Sequence, residues 1–150
     1  MKINTISGVE WSHLKCLEDD RGAVLQMVRS DHLGPTGFGE IYFSQLNPGI
    51  TKGWKMHYRM TQRLTVPSGL VRFILYDARE GSVTHGNTVS QVIGRPDHYG
   101  LLRIPPGIWY AFQNLKHTPA IVANCADLIH DPTESTTMPL HNSIIEFNWE

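Results

Sequence analysis

Gly53-Trp54-Lys55-Met56-His57-Tyr58-Arg59-Met60-Thr61-Gln62-Arg63-Leu64-Thr65-Val66 alternates in character along its length. Successive side chains of an extended strand point to opposite faces. The stretch therefore reads as one strand, with Lys55, His57, Arg59 and Arg63 on one face and Trp54, Met56, Tyr58, Met60, Leu64 and Val66 on the other. The structural reading is a half-buried strand with a solvated basic side. The functional reading is a histidine set among cations, facing a site for an anion.

Outward from this stretch, turn signals recur at Gly34-Pro35, Pro48-Gly49, Pro67-Ser68-Gly69, Gly86-Asn87 and Pro105-Pro106-Gly107. Between them lie short runs rich in β-branched and aromatic residues, at 23–28, 41–44, 63–66, 70–76, 101–104 and 120–124. Many short strands at this spacing predict a barrel or sandwich. Only Val9 to Leu17 has the uninterrupted length for a short helix, and Asp19-Asp20-Arg21-Gly22 then turns the chain. The connections are too short and too rich in Gly and Pro for the crossover helices of a doubly wound sheet. The fold class expected is all-β with few short helices, residues 1–150 forming one domain.

The chain has 150 residues, 41% of them hydrophobic, enough apolar material to bury a core and to disfavour disorder. Its 13 Lys plus Arg against 14 Asp plus Glu give a net charge of -1, so no global field draws nucleic acid or an anionic membrane. No N-terminal apolar stretch resembles a signal peptide and no run spans a bilayer, which points to the cytoplasm. Cys16 and Cys125 stand far apart without CxxC spacing and read as two thiols.

Two motifs carry a resemblance. His57 to Gly69 is similar to the first cupin motif, G-x5-H-x-H-x3,4-E-x6-G, and Pro105 to Asn114 to the second, P-x-G-x2-H-x3-N. That resemblance implies a double-stranded β-helix, or jelly-roll, barrel. The metal-ligand positions hold Arg59, Gln62 or Arg63, and Tyr110 instead of His, Glu and His. A divalent ion wants imidazoles and a carboxylate, and a guanidinium repels it. No metal and no other cofactor is expected, which disfavours a metal-dependent oxygenase or isomerase.

More specific is the resemblance to the dTDP-4-dehydrorhamnose 3,5-epimerase family, whose cupin barrels use no metal. Asp20-Arg21-Gly22 is similar to its D-x-R-G opening, His57-Tyr58 to its R-G-L-H-Y-Q segment, and Gln62-Arg63-Leu64 to its Q-x-K-L. Leu75-Tyr76-Asp77-Ala78-Arg79 resembles its V-D-L-R, Ile104-Pro105-Pro106-Gly107 its I-P-x-G, and Ile145 to Trp149 its closing I-x-I-x-W. The resemblance implies an epimerase acting at C3, C5 or both on a nucleotide-activated 4-keto-6-deoxyhexose, through an enolate. His57 would be the base, Arg63 the clamp on the enolate oxygen, and Tyr110 a proton donor. Arg21, Gln26, Lys55, Arg59 and His130 would contact the substrate, the cations facing its diphosphate. It also implies a homodimer, with Trp54, Trp109 and Phe112 buried against a second sheet.

Two positions depart from the family pattern. The aspartate behind the family's base falls at Asn142, with Glu146 as a substitute carboxylate, and the tyrosine acid falls at Leu128 or Ile129. An amide can orient an imidazole but cannot stabilise imidazolium. His130 is a second candidate donor, and His141 adjoins Asn142. The alternative function is therefore a catalytically impaired cupin that binds a sugar nucleotide.

Overall fold

In the computed structural model, which describes residues 5–149, the turn signals release the chain into twelve strands among the described residues. They are β1 (Glu10–His13), β2 (Cys16–Asp19), β3 (Gly22–Leu25), β4 (Glu40–Leu46), β5 (Thr51–His57), β6 (Gln62–Ser68), β7 (Leu70–Asp77), β8 (Thr88–Gly94), β9 (Gly100–Ile104), β10 (Ile108–Asn114), β11 (Ala120–Ala126) and β12 (Ser135–Thr137). One five-stranded antiparallel sheet runs β1-β9-β6-β11-β4, a second runs β12-β5-β10-β7-β8, and β2 and β3 form a separate ribbon. This is the jelly-roll cupin barrel expected of the sequence. Among the described residues, helix is confined to single 3₁₀ turns at Ser30–His32 and Pro132–Glu134. Among the described residues no helix is long and apolar enough to cross a membrane.

The core lies between the two sheets. Leu46, Leu64, Val66 and Val122 of the first sheet meet Val71, Phe73, Leu75 and Tyr110 of the second. The second sheet is also covered on its outer face, where Trp54, Ile74 and Ala111 pack on Ile145 with Met138, Leu140, Phe147 and Trp149 around them. Burial on both faces is why β7 reads as a nearly continuous apolar run. It also corrects the surface expected to meet a second copy: Trp54 and Trp109 are covered by the chain's own C-terminal segment, and Phe112 packs on the inner core.

Two sequence expectations change. The helix expected over Val9–Leu17 is β1 and the start of β2, because Glu10 to His13 find partners in Arg103 to Gly100 of β9, and a sheet edge outweighs weak local helix preference. The single strand expected over 53–66 is two strands in different sheets: β5 pairs with β10 and β12, whereas β6 pairs with β9 and β11. Residues 58–61 carry the chain between the sheets, so face parity restarts at Gln62.

Within β5, Gly53 has φ 143°, and a Cβ there would stand 2.4 Å from the Ala111 Cβ. Pairing with β10 shifts register at the Tyr110/Ala111 step, so Tyr110 opposes Lys55 and Ala111 opposes Gly53. Only glycine tolerates both that torsion and that approach.

Candidate active site

His57 ends β5 and is 5% exposed. Its backbone is held on both sides: the carbonyl accepts from Gly107 N at 2.8 Å, and Ser135 of β12 pairs opposite it. That pairing brings in the 3₁₀ turn before β12, whose N-cap Asp131 accepts from Thr133 N at 2.9 Å. Glu134 closes the turn, 3% exposed, with its carboxylate against His57 Nδ1. The same carboxylate accepts Arg59 N at 3.2 Å and Met60 N at 3.1 Å. It therefore satisfies the two backbone donors freed where the chain leaves β5.

The protonation states follow. Burial alone would raise Glu134, but the His57 hydrogen bond and the two backbone N–H groups outweigh it and hold the carboxyl below its ordinary value. Burial lowers His57 despite the attraction of Glu134, so the imidazole is neutral near neutral pH. An ionised carboxylate only accepts, so the imidazole proton sits on Nδ1 and the Nε2 lone pair remains. Tyr110 Oη lies 3.3 Å from Nε2, with the two rings nearly parallel. Burial pushes the Tyr110 hydroxyl far up, so it donates to Nε2.

Tyr110 faces a cavity of about 260 Å³ enclosed between the two sheets and open at one end. Lys52, Lys55, Tyr110 and Phe112 line it from the second sheet, and Tyr42, Gln62, Leu64 and Asn124 from the first. A polar run crosses it: Asn124 Nδ2 donates to Tyr42 Oη at 2.8 Å and to Gln62 Oε1 at 3.3 Å. A small cavity with an apolar wall, convergent polar groups and a perturbed titratable pair is the usual form of a ligand site.

Of the residues singled out from sequence, Tyr110 and Lys55 line this cavity, and His57 stands behind it in contact with Tyr110. Arg63 does neither. It follows inward-facing Gln62 on β6 and so points away from the cavity; its guanidinium, 1% exposed, is held by Cys125 O at 3.3 Å, Leu33 O at 2.8 Å and Thr36 Oγ1 at 2.7 Å. Arg59, beyond the end of β5, forms an exposed pair with Asp131 at 3.1 Å. Arg21 sits in the β2–β3 turn, exposed and paired with Asp19. Gln26 is engaged through its backbone, accepting from Tyr99 Oη at 2.8 Å. His130 is exposed beside Glu40, near enough to His57 to lower it slightly. Asn142 caps its own turn through Ile144 N and Ile145 N, and Glu146 is exposed; neither backs His57. Glu134 takes that place instead. Leu128 and Ile129 line a separate shallow groove with Arg59.

The Leu75–Arg79 stretch is structural. Asp77, fully buried, accepts from Arg79, Ser82 and Thr84 and pins the turn after β7. The donor set at the metal position of cupins does not fit an ion: His57 is bound to Glu134, Arg59 points to Asp131, and no group of three or more His, Cys, Asp or Glu suited to a metal occurs among the described residues.

Comparison with known proteins agrees with this geometry. The sequence model of a family described as dTDP-4-dehydrorhamnose 3,5-epimerase matches residues 4–150. The crystal structure of a dTDP sugar isomerase from Desulfovibrio desulfuricans G20 superposes with a TM-score of 0.92 at 44% identity, covering 96% of this chain and 92% of that one. The spore coat polysaccharide biosynthesis protein SpsL of Bacillus subtilis (strain 168) is 31% identical over 146 residues, 96% of each chain. The probable low-salt glycan biosynthesis epimerase Agl13 of Haloferax volcanii is 28% identical over 131 residues, 84% of this chain and 81% of its own.

Proposed function

The chain belongs to the dTDP-4-dehydrorhamnose 3,5-epimerase family, and from that premise we propose that it inverts C3, C5 or both of a nucleotide-activated 4-keto-6-deoxyhexose, such as the dTDP sugar. The observation that carries this reading is the Glu134–His57–Tyr110 alignment, whose tyrosine lines the cavity.

As the Tyr110 hydroxyl yields His57 Nε2 to the substrate, the α-proton next to the C4 ketone passes to that nitrogen, and the C–H electron pair moves into the carbonyl to form the enolate. Imidazolium then sits against the Glu134 carboxylate, which stabilises the charge as it forms. The enolate oxygen needs a donor placed in advance, and the Gln62 amide, which keeps its NH₂ as a donor while its oxygen accepts from Asn124, lines the same space. The cavity volume lies near the lower end of the usual range for ligand sites. It suits the sugar, with the diphosphate at the open end where Lys52 and Lys55 stand.

An ionised carboxylate behind His57 supports catalysis over the binding-only alternative, whose motive was the amide at Asn142. In a homodimer, which completes this reading, the exposed Ile41 and Phe43 on edge strand β4 would be covered, and the Arg21 hairpin would be free to reach a neighbour's cavity. Light scattering showing a monomer sinks the dimer. The function is tested by proton NMR in D₂O with dTDP-4-keto-6-deoxyglucose: deuterium enters C3 or C5 with wild type and not with His57→Ala. No exchange with this sugar or its GDP, UDP and CDP counterparts overturns the reading.

A further inference from the structure

Inversion requires two proton-transferring groups on opposite faces of the enolate, because a proton returned by the group that removed it restores the starting configuration. His57 and Tyr110 belong to one sheet: β5 and β10 are neighbours, and the two rings stack. Tyr110 therefore meets the substrate from the same side as the base. The positions where the family resemblance puts the acid hold Leu128 and Ile129, with no transferable proton, and they line a different groove.

The opposite wall carries one hydroxyl on an aromatic ring. Tyr42 lies on β4, at the edge of the other sheet, opposite Asn124 of β11, and its ring lines the cavity. Its oxygen accepts a hydrogen bond from Asn124 Nδ2 at 2.8 Å, so its own hydrogen points elsewhere as a donor. The ring is 36% exposed, which gives water access to it. We propose that Tyr42 is the catalytic acid that delivers the proton to the enolate from the face opposite His57.

The step balances. The enolate carbon takes the Tyr42 hydroxyl proton as the C–O double bond reforms, and the O–H pair stays on the phenolate. The Asn124 N–H remains on that oxygen and stabilises it, and water at the open end returns a proton. Burial chiefly, with the negative charges of Glu40 and Glu134, holds the Tyr42 hydroxyl above its ordinary range, so it is protonated and able to donate at neutral pH. Asn124 belongs to the mechanism as the positioning residue for this acid.

The proposal rests on the epimerase reading, and its test separates the two. Tyr42→Phe removes one hydroxyl, leaving Asn124 bonded to Gln62. With dTDP-4-keto-6-deoxyglucose in D₂O, this variant forms inverted product at least 100-fold more slowly than wild type, within the usual reach of general acid catalysis, about 10²–10⁴. Deuterium still enters recovered, uninverted substrate through His57, and His57→Ala loses both signals. Inversion within threefold of wild type overturns the role of Tyr42. So does joint loss of exchange and inversion in a Tyr42→Phe protein with an unchanged melting temperature, which would make Tyr42 part of deprotonation or binding. If wild type neither exchanges nor inverts any of the four nucleotide sugars, the epimerase reading itself has failed and the acid falls with it.

Discussion

Replacing Glu134 by Gln keeps size and shape and removes only the charge, so its effect can be worked out donor by donor. The carboxylate accepts three N–H groups: His57 Nδ1 on one oxygen, Arg59 N and Met60 N on the other. A glutamine has one oxygen and one NH₂. Placing the oxygen toward the two backbone donors keeps both bonds and turns the NH₂ toward Nδ1. The imidazole then accepts at Nδ1 and carries its proton on Nε2, the nitrogen that must receive the substrate proton. Turning the amide over restores the tautomer but leaves two buried backbone N–H groups facing a donor, at about 1–3 kcal/mol each. The first arrangement wins, and the chain folds with its base in the wrong tautomer. An analogous amide substitution in a serine protease costs about 10⁴ in rate. We expect Glu134→Gln to lower kcat by about 10³–10⁴ in the NMR assay, with a loss of about 1–2 kcal/mol in stability, since bonds to a charged group become bonds to a neutral one. Glu134→Ala orphans all three donors, at about 3–5 kcal/mol, or roughly 6–20 °C in melting temperature for a chain of this size. A Glu134→Gln enzyme within tenfold of wild type refutes the proposed relay.

The pH dependence has a definite sign. The folded values of His57 and Glu134 both lie below their ordinary 6.5 and 4.5, so the folded chain binds fewer protons than the unfolded one, and stability falls as pH drops first through 6.5 and then through 4.5. Denaturant melts between pH 8 and 4 check this, and the acid limb of the wild-type kcat/KM lies below pH 6.5. Arg63→Met leaves Leu33 O, Cys125 O and Thr36 Oγ1 without their donor, for a loss of about 2–4 kcal/mol. Its melting temperature drops while kcat of the folded protein changes less than tenfold; a 100-fold fall in kcat at unchanged stability would return Arg63 to the chemistry. Lys55→Ala raises KM by about tenfold or more, the worth of one charge-assisted contact, and titration of dTDP against both proteins reads this directly.

The parts of the architecture set by local pattern were legible in the residues: Gly and Pro punctuation, β-branched runs, and the inward parity that puts Lys55 and His57 together on β5. Parity stopped being informative at Tyr58. A strand that continues and a strand that ends at a crossing between sheets have the same alternation, and what distinguishes them is the fate of the Arg59 and Met60 N–H groups, taken by a carboxylate 75 and 74 residues away. That is why Arg59 and Arg63, counted with His57 on one face, lie off the cavity. It is also why the sequence does not single out Glu134: the family pattern puts the aspartate at Asn142, whereas the carboxylate sits on a single turn in Asp131-Pro132-Thr133-Glu134, a stretch that reads as an ordinary Asp-Pro cap. A signal was present, since β-prone Ser135-Thr136-Thr137 after such a cap is a short strand in need of a partner, and the partner it finds is β5. Tyr42 was hidden for a related reason. Ile41, Tyr42 and Phe43 are all apolar enough for a core, and only the pairing of β4 with β11 decides that Tyr42 turns inward to Asn124 while Ile41 and Phe43 turn out. Both missed residues are thus assigned by strand pairing across more than 70 residues, the one determinant that spacing along a single chain does not encode.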